Sequence, residues 1–440
     1  MFRKVLKSRL VINTFSVYAV RLMSAAVGFL LSVVVARKYG PEAAGAYFYS
    51  VTVITVVSVF SRFGMDSYLV KYIASHLAVD ELKAVKEKMA LATVFVAVLA
   101  LILSIVIGGV SYYINFNENS VDINYESLKW MAPAALFFSL NTIFGFALQG
   151  MHRSVASGIV LNAVVPLINI LIIVLFATGD SSVSLSMSYV IAVGSSVVVA
   201  FYMARKLIMP FSYESIRLSE LKVLVSESHS FYTVAIAVCV LNWMPGIVII
   251  MLSGSSEMAV YWVAQRTSVF ASFIVVAIEN VSGPKFSALY KLGDRSKLIE
   301  AAFRTGIISN CIGLPIVVVL MYFADEVMRI FGKDYAQGAM VLRLLLVGQL
   351  VSLLTGPATN FQLMTSQERE IRKITFICAI LCVPLCIILV KIAGVNGLGI
   401  GVVLLTCAQR LIAYWSVLSS HGIHMSPIVL GVTKLLGKDK

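Results

Sequence analysis

Four arginines, Arg21, Arg266, Arg343 and Arg410, lie inside long apolar stretches of the chain. A guanidinium at mid-membrane depth costs roughly 2.5–3.5 kcal/mol on insertion scales, so such a group should face water or a counter-anion rather than lipid. Arg343 lies about five residues from the outer end of its stretch, close enough for its long side chain to reach the interface. Arg21 and Arg410 are nearer mid-span, and Arg266 is in the outer half of its own. The planar guanidinium fork binds two oxygens at once, which suits phosphate. The chemistry these positions offer is therefore recognition of an anion. The competing account is that each arginine bonds backbone carbonyls at a break in a helix.

The neighbouring residues fit a wet face. Arg21, Ser24, Gly28 and Ser32 fall on one side of a helix, as do Tyr261, Gln265, Ser268 and Ser272, and Thr406, Gln409 and Arg410 cluster. Pro245, in Asn242-Trp243-Met244-Pro245, removes a backbone hydrogen bond and should kink its span. Together these describe a hydrated cavity with net positive charge. Tyr47 and Tyr261 could stack on sugar rings there, or belong to the aromatic belt at the membrane interface. The acidic candidates are Glu279, at the inner end of a span, and Asp66, at nearly the equivalent place in the first half of the chain. With Arg62 or Lys285 they would form a cytoplasmic gate or an ion-coupling pair, or they are ordinary interfacial charges.

The elements that must position these groups are set by composition. Of 440 residues 59% are apolar and 13% charged, with mean hydropathy +0.92. Soluble domains carry about 25% charged residues. A soluble enzyme, a disordered chain and a small disulfide-stapled domain are thereby excluded. A bilayer core needs about 20 apolar residues per helix. Twelve stretches meet this: 11–36, 45–62, 89–112, 130–150, 155–178, 183–204, 230–252, 259–281, 305–323, 339–363, 374–392 and 398–419. Their apolar runs are continuous and too long for barrel strands. The fold class expected is an all-α polytopic membrane protein. The basic start of the chain resembles a signal peptide, but the apolar stretch after it is too long and contains Arg21, so a retained first helix is expected.

The net charge of +13 would suggest nucleic acid on a soluble protein. Here it reports orientation. With the N-terminus inside, about 25 of the 35 Lys and Arg residues fall in inner segments and six in outer ones. Both termini are thus expected to be cytoplasmic, and nucleic acid is not an expected partner.

A shift of about 214 positions aligns the two halves over the second helix and its following loop: Tyr47 on Tyr261, Lys71 on Lys285, Asp80 on Asp294, Lys83 on Lys297. The expected organisation is a six-helix lobe over 1–206, a cytoplasmic connecting loop over 207–229 and a second six-helix lobe over 230–440, around a central cavity.

Other signals carry less. Cys378, Cys382 and Cys386 form a stripe about 12 Å long on one helix, which suits helix packing better than a metal site. Gly397 and Gly401 should allow close helix contact. There is no Walker A sequence and no zinc-protease motif. No cofactor, metal ion or catalytic residue is expected.

Motifs spread along the chain resemble the bacterial polysaccharide transporter family, the O-antigen flippase branch of the multidrug/oligosaccharidyl-lipid/polysaccharide exporter superfamily. They are Ala36-Arg37-Lys38-Tyr39-Gly40 through Gly45-Ala46-Tyr47, Phe63-Gly64-Met65, Pro284 to Tyr290, Ile330-Phe331-Gly332-Lys333-Asp334-Tyr335 and Gly397-Leu398-Gly399-Ile400-Gly401. The resemblance implies a MATE-like fold of twelve helices in two lobes. It also implies movement of undecaprenyl-pyrophosphate-linked oligosaccharide units across the bacterial inner membrane by alternating access, and work alongside a glycan polymerase and other assembly proteins. Arg21, Arg266 and Arg410 are assigned from burial cost rather than from a family motif. A cation-drug exporter of the same superfamily, a lipid-II-type flippase and a membrane-embedded glycan polymerase are the rival readings. The first would need carboxylates in the cavity, the second usually has extra helices, and the third would need a substantial outer loop.

Overall fold

A computed structural model describes residues 9–77, 79–117, 125–175, 182–208, 218–365 and 368–422; these form helices joined by short turns, with no strand among them. An all-helical solution follows from the solvent, since in lipid every backbone polar group must be satisfied inside its own segment.

The first half comprises α1 (Arg9–Arg62), α2 (Met65–Leu77), α3 (Leu82–Asn117), α4 (Tyr125–Met131), α5 (Ala134–Gly150), α6 (Ser154–Gly158), α7 (Val164–Leu175) and α8 (Ser182–Ile208). The second comprises α9 (Leu218–Lys291), α10 (Arg295–Tyr322), α11 (Ala324–Arg329), α12 (Ala339–Leu354), α13 (Ala358–Met364) and α14 (Glu368–His421). Among the described residues eight helices are long and apolar enough to span a bilayer. Three of them, α1, α9 and α14, are pairs of spans merged across a kink, and α5 is a further, shorter apolar helix. Counted this way, the described helices supply the twelve crossings expected.

The kinks expose the repeat. Gly40 has φ 74° and ψ 175°, and Gly254, 214 residues later, has φ 86° and ψ −178°. Only glycine takes this conformation readily, so each half turns its first pair of spans with the same backbone device. Replacing Gly40 or Gly254 by alanine is expected to cost roughly 1–3 kcal/mol each. At Gly40 nothing lies within 4 Å of an added Cβ, so the loss there is backbone strain alone. It would be read as a lower midpoint of thermal unfolding in detergent.

Two compact units are present, one of Met1–Cys239 with Gly254–Ala259 and one of Val240–Ser253 with Val260–Lys440. In the first, Met65, Leu69 and Ile73 of α2 pack with Met89 of α3, Ile143 of α5, Ala204 of α8 and Leu224 of α9. The stretch 207–229, expected as a connecting loop, is helix from Leu218 onward. Leu221, Leu224 and Val225, at helical spacing, bury its apolar side in the first unit. The Tyr68 hydroxyl donates to Glu227 on the same stretch, and Lys88 lies 3.6 Å from that carboxylate.

Between α6 and α7 the span passes through a π turn, Ile159–Ala163. The buried Asn141 side chain donates to the Val160 carbonyl and accepts from the Ser196 hydroxyl. A π turn loosens the usual ladder, and the carboxamide supplies a partner there. In the second unit the expected close packing at Gly397 and Gly401 is present. A Cβ on Gly397 would stand 1.8 Å from the Leu389 carbonyl oxygen, and one on Gly401 would stand 3.6 Å from the Cys386 sulfur.

Candidate functional site

The polar faces of four spans in the second unit meet. Asn242 from the first span of α9, Gln265 and Ser268 from its second, Gln349 from α12, and Thr406 and Gln409 from the second span of α14 line one cavity of about 180 Å3. Pro245 and Cys382 are also on its wall. Each comes from a helix long and apolar enough to span a bilayer. Two polar faces, those of Gln265 with Ser268 and of Thr406 with Gln409, were legible in the sequence, as was Asn242 beside Pro245. Gln349 was not, since it is isolated among apolar residues. The break in α9 is at Gly254, with no non-helical backbone at Pro245.

The lining is uncharged. The Ser268 and Thr406 hydroxyls donate to carbonyls of their own helix, and the Gln409 amide donates to the Thr375 hydroxyl at 3.3 Å. Gln265 and Gln349 have side-chain carboxamides with no hydrogen-bond partner among the described residues, and each is half-buried.

The arginines stand elsewhere on the helices. Arg266 follows Gln265, about 100° further round the helix. It is exposed, with its guanidinium carbon 5.0 Å from the Trp262 ring centroid. Trp262 is itself buried and lies 5.7 Å, centroid to centroid, from Trp243. This orients a cation by its attraction to the ring face. Arg410 is half-buried and donates to the Thr359 hydroxyl at 3.2 Å. Arg21, in the first unit, is exposed on α1. The Ser24 and Ser32 hydroxyls on its face are buried and donate to the Val20 and Gly28 carbonyls, so they present no donor to a cavity. Arg343 pairs with Asp325 and donates to the Met321 carbonyl, as suits a charge near a helix end.

Both tyrosines are core residues. Tyr47 accepts from Asn169, which in turn accepts from Ser188, each at 2.8 Å, in the interior of the first unit. Tyr261 is fully buried, and its hydroxyl has no partner among the described residues. Neither ring lies on the cavity wall described above.

Asp66 and Arg62 form a buried ion pair one turn apart. Arg62 also donates to the Ser58 carbonyl and hydroxyl, and Asp66 accepts from the Ser67 amide. Glu279 lies on α9, but its side chain and that of Ser272 are outside the described residues. One acidic residue escaped the sequence reading. Glu257, in the turn just after the Gly254 kink, has a buried Oε2 without a hydrogen-bond partner, and burial pushes its carboxyl above the ordinary range.

The chain as a whole resembles known proteins. The polysaccharide biosynthesis protein family matches residues 10–290, and the MatE family matches residues 234–388. An uncharacterised membrane protein of Methanocaldococcus jannaschii is 24% identical over 371 residues, covering 79% of this chain and 71% of that protein. Among solved structures, the lipid II flippase MurJ in an inward closed conformation superposes with a TM-score of 0.72 at 14% identity, over 91% of this chain and 87% of that one. An inward-facing multidrug resistance MATE family transporter gives 0.67 at 16% identity, over 92% and 98%. A transporter of the same superfamily from Pyrococcus furiosus, described as having a binding pocket of reversed polarity, gives 0.61 at 15% identity, over 93% and 95%. At these identities the likeness establishes the fold: an all-helical, multi-pass membrane transporter architecture.

Proposed function

The chain belongs to the polysaccharide biosynthesis protein family, and from that premise we propose that it is a flippase for undecaprenyl-pyrophosphate-linked oligosaccharide repeat units. It would work in the bacterial plasma membrane, with both termini cytoplasmic, by alternating access. The glycan could be O-antigen, capsule or exopolysaccharide, delivered to a glycan polymerase.

The observation that carries the reading is the exposure of guanidinium groups on apolar spans, Arg21 and Arg266 above all. Sugars and pyrophosphate cannot cross hydrocarbon unaided, because their polar groups would lose their partners. Arg21, Arg266 and Arg410 would neutralise the pyrophosphate during passage while the polyprenyl tail stays in lipid. The likeness to a lipid II flippase supports this. The match to the MatE family supports the rival reading, a multidrug exporter. An exporter of cations would need carboxylates facing its substrate, and the cavity of the second unit is lined by carboxamides and hydroxyls.

A charge-assisted hydrogen bond contributes roughly 1.5–3 kcal/mol, which is about tenfold to over a hundredfold in affinity. Alanine at any one of the three arginines should lower glycan export in a flippase-null strain by tenfold or more, and the triple variant should abolish it. Export that survives the triple replacement would sink the assignment. Resistance to cationic drugs conferred by the wild-type chain, without glycan export, would favour the exporter.

A further inference from the structure

We infer that the carboxamide-lined cavity of the second unit is a subsite for one uncharged sugar residue, the one nearest the pyrophosphate. The inference rests on the flippase reading and adds to it what the site selects. Three features point to this ligand class.

The first is hydrogen-bonding character. An anion would be met by donors and positive charge, and a metal cation by oxygen acceptors alone. The free carboxamides of Gln265 and Gln349 offer both, each with two N–H donors and a carbonyl acceptor. Sugar hydroxyls also donate and accept. With Asn242, Gln409, Ser268 and Thr406 on the same wall, the cavity provides paired donors and acceptors and no net charge.

The second is size. At about 180 Å3 the cavity lies below the roughly 300–1,000 Å3 of sites for drug-sized ligands, and it suits a single pyranose ring. Gly348, on its wall, keeps this room open: the nearest atoms to an added Cβ there are 3.7 Å away, on Thr406.

The third is placement. Gln265 is the residue before Arg266, and Asn242 is the residue before Trp243. Arg266 rests over Trp262, which pairs with Trp243. The neutral pocket and the cationic group therefore occupy neighbouring faces of the same helices. A pyrophosphate at Arg266 has its attached sugar within one residue's reach of the carboxamides.

The test uses the full-length protein in lipid nanodiscs and two probes, undecaprenyl pyrophosphate and the same lipid bearing one uncharged N-acetylhexosamine. Binding is read from tryptophan emission, to which Trp243 and Trp262 should contribute. The wild type is expected to bind the glycosylated lipid at least tenfold more tightly. The double variant Gln265→Met, Gln349→Met keeps side-chain volume and removes both amides. It should bind the two lipids alike, with its fold checked by its elution profile and thermal midpoint. Should the double variant misfold, Gly348→Ala, which adds one methyl to the cavity wall, should by itself narrow the preference at least threefold. Equal binding of both lipids by the wild type, or a tenfold preference that persists in the variants, would overturn the subsite and leave the pyrophosphate reading standing. Binding of neither lipid would end both. A response to sodium ions alone, lost in the double variant and with no sugar preference, would make the cavity a cation site and overturn the inference.

Discussion

Alanine at Gly45 is expected to abolish the conformation seen here, and with it most of the proposed glycan export. A Cβ at this position would stand 1.7 Å from the Ser255 carbonyl oxygen and 2.5 Å from its carbonyl carbon. These are backbone atoms, so no rotamer change relieves the overlap; one helix segment must move. Overpacking by a single methylene ordinarily costs about 1–3 kcal/mol when side chains can adjust, and here they cannot. Both residues stand just beyond the glycine kinks, Gly45 after Gly40 and Ser255 after Gly254. The close approach thus ties the two turns together within the first unit, and it needs a residue without a side chain. Gly109 is the control: nothing lies within 4 Å of its Cβ on exposed helix α3, and alanine there should be neutral or stabilising by up to about 1 kcal/mol. The comparison is made by expression, thermal midpoint in detergent and export. A Gly45→Ala protein with wild-type values in all three would mean that the contact is dispensable.

The same kinks show how much the sequence disclosed. The spans were legible because lipid leaves a helix little choice, and the repeat because a 214-residue offset aligns Tyr47 with Tyr261 and Lys71 with Lys285; the shared backbone of Gly40 and Gly254 at that offset is seen only in the structure. The direction of individual side chains was harder to read. Gln265 and Arg266 are neighbours in sequence, yet one lines the cavity and the other rests on Trp262. A burial-cost argument locates charges along a span and is silent about which way round it they point. Ser24 and Ser32 looked like a wet face by spacing, but a serine in a helix can bond its own preceding turn, and both do. Tyr47 and Tyr261 looked like interfacial or stacking residues, whereas the structure buries them. The segment from Leu218 was misread because its polar composition, Ser219 to Ser230, outweighed the Leu221, Leu224 and Val225 stripe. Apart from that segment, the misses concern orientation about a helix axis, which depends on packing partners distant in sequence.

Asp66→Ala is expected to destabilise the protein by roughly 3–5 kcal/mol, the cost of removing one partner from a buried ion pair. The two side chains are 8% and 12% exposed, so neither can exchange its partner for bulk water. Exposed pairs contribute about 0–1 kcal/mol, which makes the size of the loss a direct measure of burial. If Asp66 were an ordinary interfacial charge, its removal would fall in that lower range. Arg62 keeps its bonds to Ser58 in the variant, but these satisfy hydrogens and leave the charge uncompensated. The double variant Arg62→Met, Asp66→Leu removes both charges at similar volume and should recover most of the stability, since apolar replacements of buried pairs are often neutral or better. Its transport then separates two roles. If export returns with stability, the pair only holds α1 and α2 together. If stability returns and export does not, the pair must break and re-form during the cycle, as a cytoplasmic gate would require.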